Sequence, residues 1–170
     1  LTSSRQRNLL RHVIRLRGLP SLPAKQLFQV VNEVINARND KQPEVKWSGG
    51  TIRRYRGYIY IVETEIGELP PPETMLQLEG PPIMLGPGRG TIVLSNSDGF
   101  GLDPKIIRDG LSISYRKGGE KIRVEEGGSR RELKKLFQEE GVFPWMRAIV
   151  PLLYTDDTLV AAGDLWTSSD

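Results

Sequence analysis

The chain has 170 residues, no cysteine, one histidine and a net charge of +3, with 24 basic and 21 acidic side chains. The lack of cysteine excludes disulfides, thiolate metal sites and a cysteine nucleophile, and a single histidine excludes a histidine metal cluster. No apolar run approaches the roughly 20 residues that a membrane-spanning helix needs, so we expect a cytoplasmic protein without a membrane partner. Because the first residue is Leu1 rather than Met, we interpret the chain as a piece of a longer protein.

The charges are segregated along the chain. Residues 1–56 contain twelve basic and three acidic side chains, and residues 111–147 contain nine and six. The other two blocks are acidic, with three basic against eight acidic side chains in residues 57–110 and none against four in residues 148–170. Phosphate binding depends on local cation density, so this segregation favours a polyanionic partner, although a run of charge is often only solvated surface.

Two amphipathic helices are predicted at the start of the chain, over residues 4–17 and 24–37. The apolar side of the first helix comprises Leu9, Leu10, Val13, Ile14 and Leu16. Its opposite side carries Arg7, Arg11 and Arg15, which we predict to contact RNA phosphates. The second helix is expected to bury Leu27, Phe28, Val30, Val31, Val34 and Ile35. It carries few cations and would read a groove poorly, so the pair is interpreted as a helical substrate module.

A turn and a strand pair follow. Residues 48–50 read Ser-Gly-Gly and predict a turn, because the acidic residue, serine and helix N-terminus of a nucleotide-binding loop do not follow them. Residues 51–62 predict two short strands hinged near Gly57. Arg53, Arg54 and Arg56 lie beside Tyr58 and Tyr60, a composition typical of RNA-binding sheets, although decoration of a sheet edge explains it almost as well. We predict that the three arginines contact RNA.

The middle of the chain is rich in acidic residues, proline and glycine. It predicts only short strands, over residues 75–78, 83–85 and 91–94, and a β-turn rather than a phosphate loop over residues 86–90. Two hairpins are then expected. The first joins residues 111–115 to 121–124 around Gly118-Gly119, and the second joins residues 150–154 to 159–162 around Asp156-Asp157. Residues 164–166 predict a last strand.

The segment between the two hairpins contains the main candidate site. It reads GGSRRELKKLFQEEGVFPWMRAIVPLLY over residues 127–154. Ser129 and Glu132 predict a capping box at a helix start, and Gly141 predicts the stop. An apolar side is formed by Leu133, Leu136 and Phe137. Four cations share the other side and are predicted to bind RNA: Arg130, Arg131, Lys134 and Lys135.

Two aromatic residues follow this helix. Phe143 and Trp145 flank Pro144, and Arg147 comes close behind. One interpretation is that the rings plug the core beneath the helix, as large aromatic side chains commonly do. The other places Arg147 beside a nucleic-acid surface. Arg147 is therefore included among the candidate RNA-binding residues.

The sequence also resembles a known family. The chain contains RRELKKLFQEEGVFPWMRAIVPLLY and TLVAAGDLW, which resemble the C-terminal domain of bacterial tRNA(Ile)-lysidine synthetase. It also contains LLRHVIRLRGLPSLPAKQLFQVVNEVINARNDKQPEVKW and GGTIRRYRGYIYI, which resemble the end of that family's helical substrate-recognition domain and the segment after it. The resemblance leaves residues 66–110 without recognisable motifs.

The resemblance implies an ATP-dependent ligase. Such an enzyme adenylates the wobble cytidine of isoleucine tRNA with a CAU anticodon and then joins lysine to it, using ATP and Mg²⁺. Its catalytic domain lies upstream and would be a partner of this region within the full-length protein. No catalytic residue, cofactor or metal site is therefore expected in this chain, which would bind the tRNA body and acceptor stem.

The predicted fold class is α+β. We expect a helical piece over residues 1–47, a mostly antiparallel β region over residues 48–110, and a small α+β terminal domain with one main helix over residues 111–170. Two other functions remain open. One is an RNA-binding module of a different tRNA-modifying or aminoacylating enzyme, and the other is a structural dimerisation domain that forms a homodimer.

Overall fold

The computed structural model describes residues 1–38, 41–63, 71, 74–86, 89–98, 101–107 and 110–169. Within these residues the fold is α+β with antiparallel strand ladders, as predicted. The chain divides into two compact units, Leu1–Ile66 and Gly67–Asp170. The finer division into residues 1–47, 48–110 and 111–170 stays a prediction.

The first unit begins with two helical segments. Their bounds are α1, Ser3–Leu16; α2, Ala24–Gln29; and a π-helical continuation of α2, Val30–Ile35. The chain leaves α1 at Gly18, which has a left-handed φ of 66°. The N–H groups of Gly18 and Leu19 donate back to carbonyls in the last turn of the helix. This is a Schellman stop, which favours glycine because the left-handed conformation crowds a Cβ.

The second helix differs from its prediction in two ways. The predicted α-helix over residues 24–37 changes to π-type hydrogen bonding at Val30, which shifts the side chains that follow around the axis. Phe28 was expected to be buried and is 59% exposed, whereas Val30, Val31 and Val34 are buried. The core therefore contains the valines of the π-helical segment, as predicted, but not the ring of Phe28.

A three-stranded antiparallel sheet completes the first unit. Its strands are β1, Glu44–Trp47; β2, Gly50–Tyr55; and β3, Tyr58–Val62, in the order β1-β2-β3. The Ser48-Gly49 turn joins β1 to β2, as predicted. Arg56 and Gly57 join β2 to β3 with φ values of 48° and 83°. Positive φ at both turn positions matches the right-handed twist of a two-residue hairpin.

The core of the first unit lies between the helices and this sheet. Its buried side chains are Leu10, Ile14, Leu22, Leu27, Val30, Val31, Val34, Val45, Trp47 and Ile52. Trp47 also donates its indole N–H to the carbonyl of Pro20 at 2.9 Å, which ties the sheet to the loop between the helices. The predicted apolar side of α1 is only partly correct, because Leu9 and Leu16 are exposed. Only the positions that face α2 and the sheet are covered.

The second unit is built on a five-stranded antiparallel sheet, flanked by two short ladders and one helix. In chain order its elements are β4, Thr74–Leu76; β5, Ile83–Met84; β6, Thr91–Ile92; a 3₁₀ turn, Pro104–Ile107; β7, Leu111–Ser114; β8, Lys121–Ile122; β9, Arg131–Glu132; α3, Leu133–Glu139; β10, Leu152–Thr155; β11, Thr158–Ala162; and β12, Trp166–Thr167. The sheet order is β12-β11-β10-β7-β4, and the ladders are β5-β6 and β8-β9. The predicted turn at residues 86–90 is closed by an N–H of Arg89 on the carbonyl of Gly86, and residues 87–88 lie outside the described part.

This sheet separates two apolar layers. One contains Leu76, Ile107, Leu111, Ile113, Leu153, Val160 and Ala161, and the other contains Ile122, Leu133, Leu136, Phe137, Leu152, Leu159 and Ala162. Neighbouring residues such as Leu152 and Leu153 belong to different layers because successive strand side chains point to opposite faces. The helix α3 contributes only to the second layer.

One predicted hairpin is wrong and the other is confirmed. The strand at residues 111–115 does not pair with residues 121–124, because β7 lies between β4 and β10, and β8 pairs with β9. The Gly118-Gly119 turn exists with positive φ at both positions, but it links two separate ladders. The hairpin around Asp156-Asp157 forms as predicted, and the last strand is displaced slightly to Trp166–Thr167.

Candidate nucleic-acid interface

The candidate helix α3 starts differently from its prediction. The capping box of Ser129 and Glu132 is absent, because Glu132 is the N-cap without a side-chain hydrogen bond. Arg131 and Glu132 instead pair as strand β9 with Ile122 and Lys121. A capping box would need Glu132 to lie within the first turn of the helix, but pairing with Lys121 keeps this residue in an extended strand. Arg131 therefore lies on a strand that leads directly into the helix that carries Lys134 and Lys135.

The end of α3 confirms its prediction. Gly141 has φ 77°, and its N–H donates to the carbonyl of Gln138. The N–H of Val142 donates to the carbonyl of Phe137 at 2.9 Å, and Val142 packs against the same apolar layer. This is a second Schellman stop with its accompanying apolar contact.

The two sides of α3 separate as predicted. Leu133, Leu136 and Phe137 are buried. We name the opposite side the basic face and define it as Arg130, Arg131, Lys134 and Lys135. Three of its members are exposed and Arg131 is half-buried. The structure thus brings the four predicted cations together within one short segment of the second unit.

Arg131 and Lys135 of the basic face contact carboxylates. Nη2 of Arg131 lies 2.8 Å from Oε1 and 2.6 Å from Oε2 of Glu139. Nζ of Lys135 lies 3.9 Å from a carboxylate oxygen of Glu132. Sequence inspection missed the pairing of Arg131 with Glu139, because a spacing of eight residues that crosses from strand to helix matches no helical pair.

The aromatic residues after α3 lie at the surface. The rings of Phe143 and Trp145 stack in parallel, with centroids 4.9 Å apart and an interplanar angle of 2°. Both are half-buried and neither belongs to a core layer. The interpretation that they plug the core is therefore wrong, and Trp166 packs against Phe137 there instead. Nε of Arg147 donates to the carbonyl of Val142 at 2.8 Å, which anchors this candidate residue to the turn.

A mostly apolar groove of about 1020 Å³ borders the same turn. Among the described residues, its walls include Phe143, Met146 and Leu165, the acids Glu140 and Asp164, and a single cation, Arg89. This composition lacks the cation density expected of a phosphate site. The basic face is therefore the stronger candidate in this unit.

The arginines of the first sheet have different surroundings. Nη2 of Arg53 forms an ion pair with Glu44 at 2.9 Å. Nη1 of Arg54 donates to the carbonyls of Ile35 and Ala37 at 2.7 and 2.5 Å. Arg53 and Arg54 therefore already hold the first unit together, which weakens their candidacy.

The turn between β2 and β3 presents the third arginine of this cluster. Arg56 is exposed, and its guanidinium carbon lies 5.4 Å from the ring centroid of Tyr55. Tyr58 follows with 70% of its surface exposed, whereas Tyr60 is half-buried. Exposed arginine and tyrosine are thus brought together at this turn, as the prediction requires.

The three arginines of α1 form a row with local contacts. Arg7, Arg11 and Arg15 each reach a side chain three residues earlier, namely Ser4, Asn8 and His12, at 3.3 to 3.5 Å. The helix contains no acidic residue. Arg11 and Arg15 also line a cleft of about 720 Å³ together with His12. The row therefore carries three positive charges along one helix that has no acidic side chain of its own.

The second unit contains side chains whose pKa values are shifted by burial and by neighbouring groups. Burial raises the pKa of Tyr115 and of Tyr154, in the second case with help from the charge of Glu120. Burial acts to raise the pKa of Glu120 as well, but hydrogen bonds from main-chain N–H groups and the nearby Arg116 outweigh it and lower that pKa. The main-chain carbonyl of Glu120 also accepts from the N–H of Leu133, so Glu120 links the turn to the helix.

Among the residues that the structure describes, no group of three or more His, Asp or Glu side chains is arranged to hold a metal ion. In the same residues, no helix is both long and apolar enough to cross a membrane.

Comparison with known proteins identifies two domains in the chain. Residues 1–60 match the TilS substrate binding domain, and residues 111–170 match the TilS substrate C-terminal domain. Both family models are named for TilS substrate domains, so the chain is of the class of regions that contain such domains. Curated relatives identify the enzyme family that contains these two domains.

Curated relatives align with nearly the whole chain. The tRNA(Ile)-lysidine synthase of Alkalilimnicola ehrlichii is 36% identical over 99% of this chain and 38% of its own length. Those of Methylococcus capsulatus and Ralstonia nicotianae are 33% and 31% identical over 100% and 97% of this chain, and 39% and 37% of their own lengths. The chain belongs to the tRNA(Ile)-lysidine synthase family. It spans somewhat more than a third of the length of these relatives.

Proposed function

We propose that this chain is the tRNA-binding region of a tRNA(Ile)-lysidine synthase. The proposal rests on the relatives, whose name states both the tRNA and the product, and on the two substrate domains that the chain contains. The full-length protein would ligate lysine to the wobble cytidine of isoleucine tRNA with a CAU anticodon. ATP and Mg²⁺ are assigned to its catalytic domain, and the protein to the cytoplasm.

The basic face carries the proposal for the second unit. Arg131 lies on β9, and Lys134 and Lys135 lie on α3, whose opposite side is buried, while Arg130 directly precedes the strand. Cations on a rigid element position an RNA through its phosphates, whereas shape, end bases and the minor groove supply specificity. We assign this face, together with Arg147 at the turn after α3, to the acceptor stem.

The row on α1 carries the proposal for the first unit. Arg7, Arg11 and Arg15 have no acidic partner among the described side chains. Their charges are therefore available to a phosphate backbone. We assign this row, with Arg56 at the β2-β3 turn, to the body of the tRNA. Arg53 and Arg54 are retained as weaker candidates, because both also hold the first unit together.

The test compares two double variants of equal charge. K134A/K135A removes two exposed cations from the basic face, and K105A/K117A removes two exposed cations elsewhere in the same unit. We expect K134A/K135A to weaken binding of isoleucine tRNA and to flatten the salt dependence of log K by about 0.9 per lost phosphate contact. K105A/K117A should leave the slope close to that of the wild-type chain. Fluorescence anisotropy at low and moderate salt measures both quantities.

Two outcomes would favour the alternatives. Equal slopes for the two variants would show that the basic face is only solvated surface. A chain that forms dimers by light scattering and binds tRNA without salt dependence would favour a structural dimerisation domain. The exposed Tyr58 and Ile59 on edge strand β3 would then be the surface to test, because an unpaired strand edge can pair with a second copy.

A further inference from the structure

The contact between Arg131 and Glu139 joins two rigid elements. Arg131 lies on β9, whose main chain pairs with β8. Glu139 lies in the last turn of α3, the helix whose Leu136 and Phe137 are buried. Both oxygens of the Glu139 carboxylate approach the same nitrogen, Nη2, at 2.6 and 2.8 Å. Because Arg131 and Glu139 belong to different hydrogen-bonded elements, their contact directs the guanidinium toward the end of α3.

This contact uses only part of the guanidinium. Arginine carries five N–H donors in a planar fork, and Glu139 engages those of one nitrogen. In the described part of the chain, no further hydrogen bond or ion pair of Arg131 is seen. The side chain keeps 39% of its surface exposed. The N–H groups of Nε and Nη1 therefore remain as donors, and each can give a phosphate oxygen a single charge-assisted hydrogen bond.

Stability does not explain the contact well. The side chain of Glu139 is 58% exposed, and exposed ion pairs contribute little to the free energy of unfolding. An acidic side chain on an RNA-binding face also repels the phosphates at long range. A long arginine side chain that is already ordered, however, loses less rotamer freedom when it binds.

We propose that Glu139 is a positioning residue for RNA binding, which holds Arg131 ready for a phosphate. The proposal rests on the proposed function of the basic face and adds a specific role for an acidic residue within it. It makes a prediction opposite in sign to that of simple electrostatics, because removal of this carboxylate should weaken the binding of a polyanion.

Glu140 provides the matched control. It is exposed, carries the same charge, is adjacent to Glu139, and contacts no cation among the described residues. E140Q should leave tRNA affinity unchanged or raise it slightly, because only long-range repulsion is removed. E139Q should lower the affinity about threefold, the range expected from loss of a surface ion pair that orders one side chain. Both variants should unfold at the same temperature as the wild-type chain.

A double-mutant cycle with R131A isolates the positioning effect. The affinity for isoleucine tRNA is measured for wild type, E139Q, E140Q, R131A and R131A/E139Q. In the R131A background, E139Q should no longer weaken binding and should behave like E140Q. Positioning is overturned if E139Q raises the affinity as E140Q does, or if it lowers the affinity equally with and without Arg131.

The proposed function and the role of Glu139 are overturned by different results. If the wild-type chain itself shows no salt-dependent binding of isoleucine tRNA, the proposed function is overturned. If the wild-type chain binds and R131A weakens binding while E139Q does not, the basic face stands and only the role of Glu139 is overturned.

Discussion

Glu120 occupies the turn between β7 and β8, where its carboxylate accepts hydrogen bonds from the N–H groups of Lys117 and Gly118. Nε of Arg116 lies 3.5 Å from the other carboxylate oxygen. Burial opposes ionisation of this carboxyl group, but the hydrogen bonds and Arg116 lower its pKa overall. A lowered pKa in the folded state means that ionised Glu120 stabilises the fold.

The stabilisation by Glu120 should depend on pH. A carboxylate whose pKa is lowered on folding contributes fully above its ordinary pKa of about 4.3, and the contribution is lost as the pH falls through the folded-state value. E120Q should therefore lower the free energy of unfolding by about 1 kcal/mol at pH 7, and the difference from wild type should shrink at pH 3. E126Q, at an exposed glutamate nearby, is the control. A difference that is the same at both pH values in urea titrations would contradict this account.

At the scale of elements, the end of the π-helical segment illustrates how an arginine is used for folding. The last carbonyls of a helix lack partners within the helix and need an outside donor. Arg54 extends from β2 and donates to the carbonyls of Ile35 and Ala37, so the sheet closes the helix end. The same side chain was predicted to bind RNA, because composition alone does not show where a guanidinium points.

Replacement of Arg54 should therefore affect stability. R54A should lower the free energy of unfolding by about 1 to 3 kcal/mol, the cost of leaving carbonyls without partners near the core. R56A removes an exposed arginine two residues away in the same hairpin and should change it by less than about 0.5 kcal/mol. Urea unfolding measures both. The capping role is refuted if R54A unfolds like wild type, or if R56A proves equally destabilising.

Elements with local signals were predictable and those set by distant pairing were not. The apolar side of α3, its glycine stop and the hairpin around Asp156-Asp157 follow from residues close in sequence. The pairing of β7 with β4 and β10 depends on burial of Leu111 and Ile113 inside a sheet, which no turn signal reveals. For the candidate site, the cations were predictable from helical spacing. The carboxylate of Glu139 was not, because strand and helix meet there.

At the scale of the whole molecule, cations are present on both compact units. Residues 1–56 contain twelve basic against three acidic side chains, and the basic face belongs to the second block of positive charge. A tRNA is a long polyanion, so it offers phosphates to the cations of each unit. The central claim is that the basic face contacts the acceptor stem while the α1 row contacts the tRNA body.

Hydroxyl-radical footprinting of isoleucine tRNA tests this claim most directly. The wild-type chain should protect sugars along the acceptor stem and also along the body of the tRNA. The variant R130A/R131A/K134A/K135A should lose the acceptor-stem protection and keep the body protection at RNA-saturating concentration, whereas R7A/R11A/R15A should do the reverse. If the basic-face variant protects the acceptor stem as the wild-type chain does, the assignment of this face to the acceptor stem is wrong.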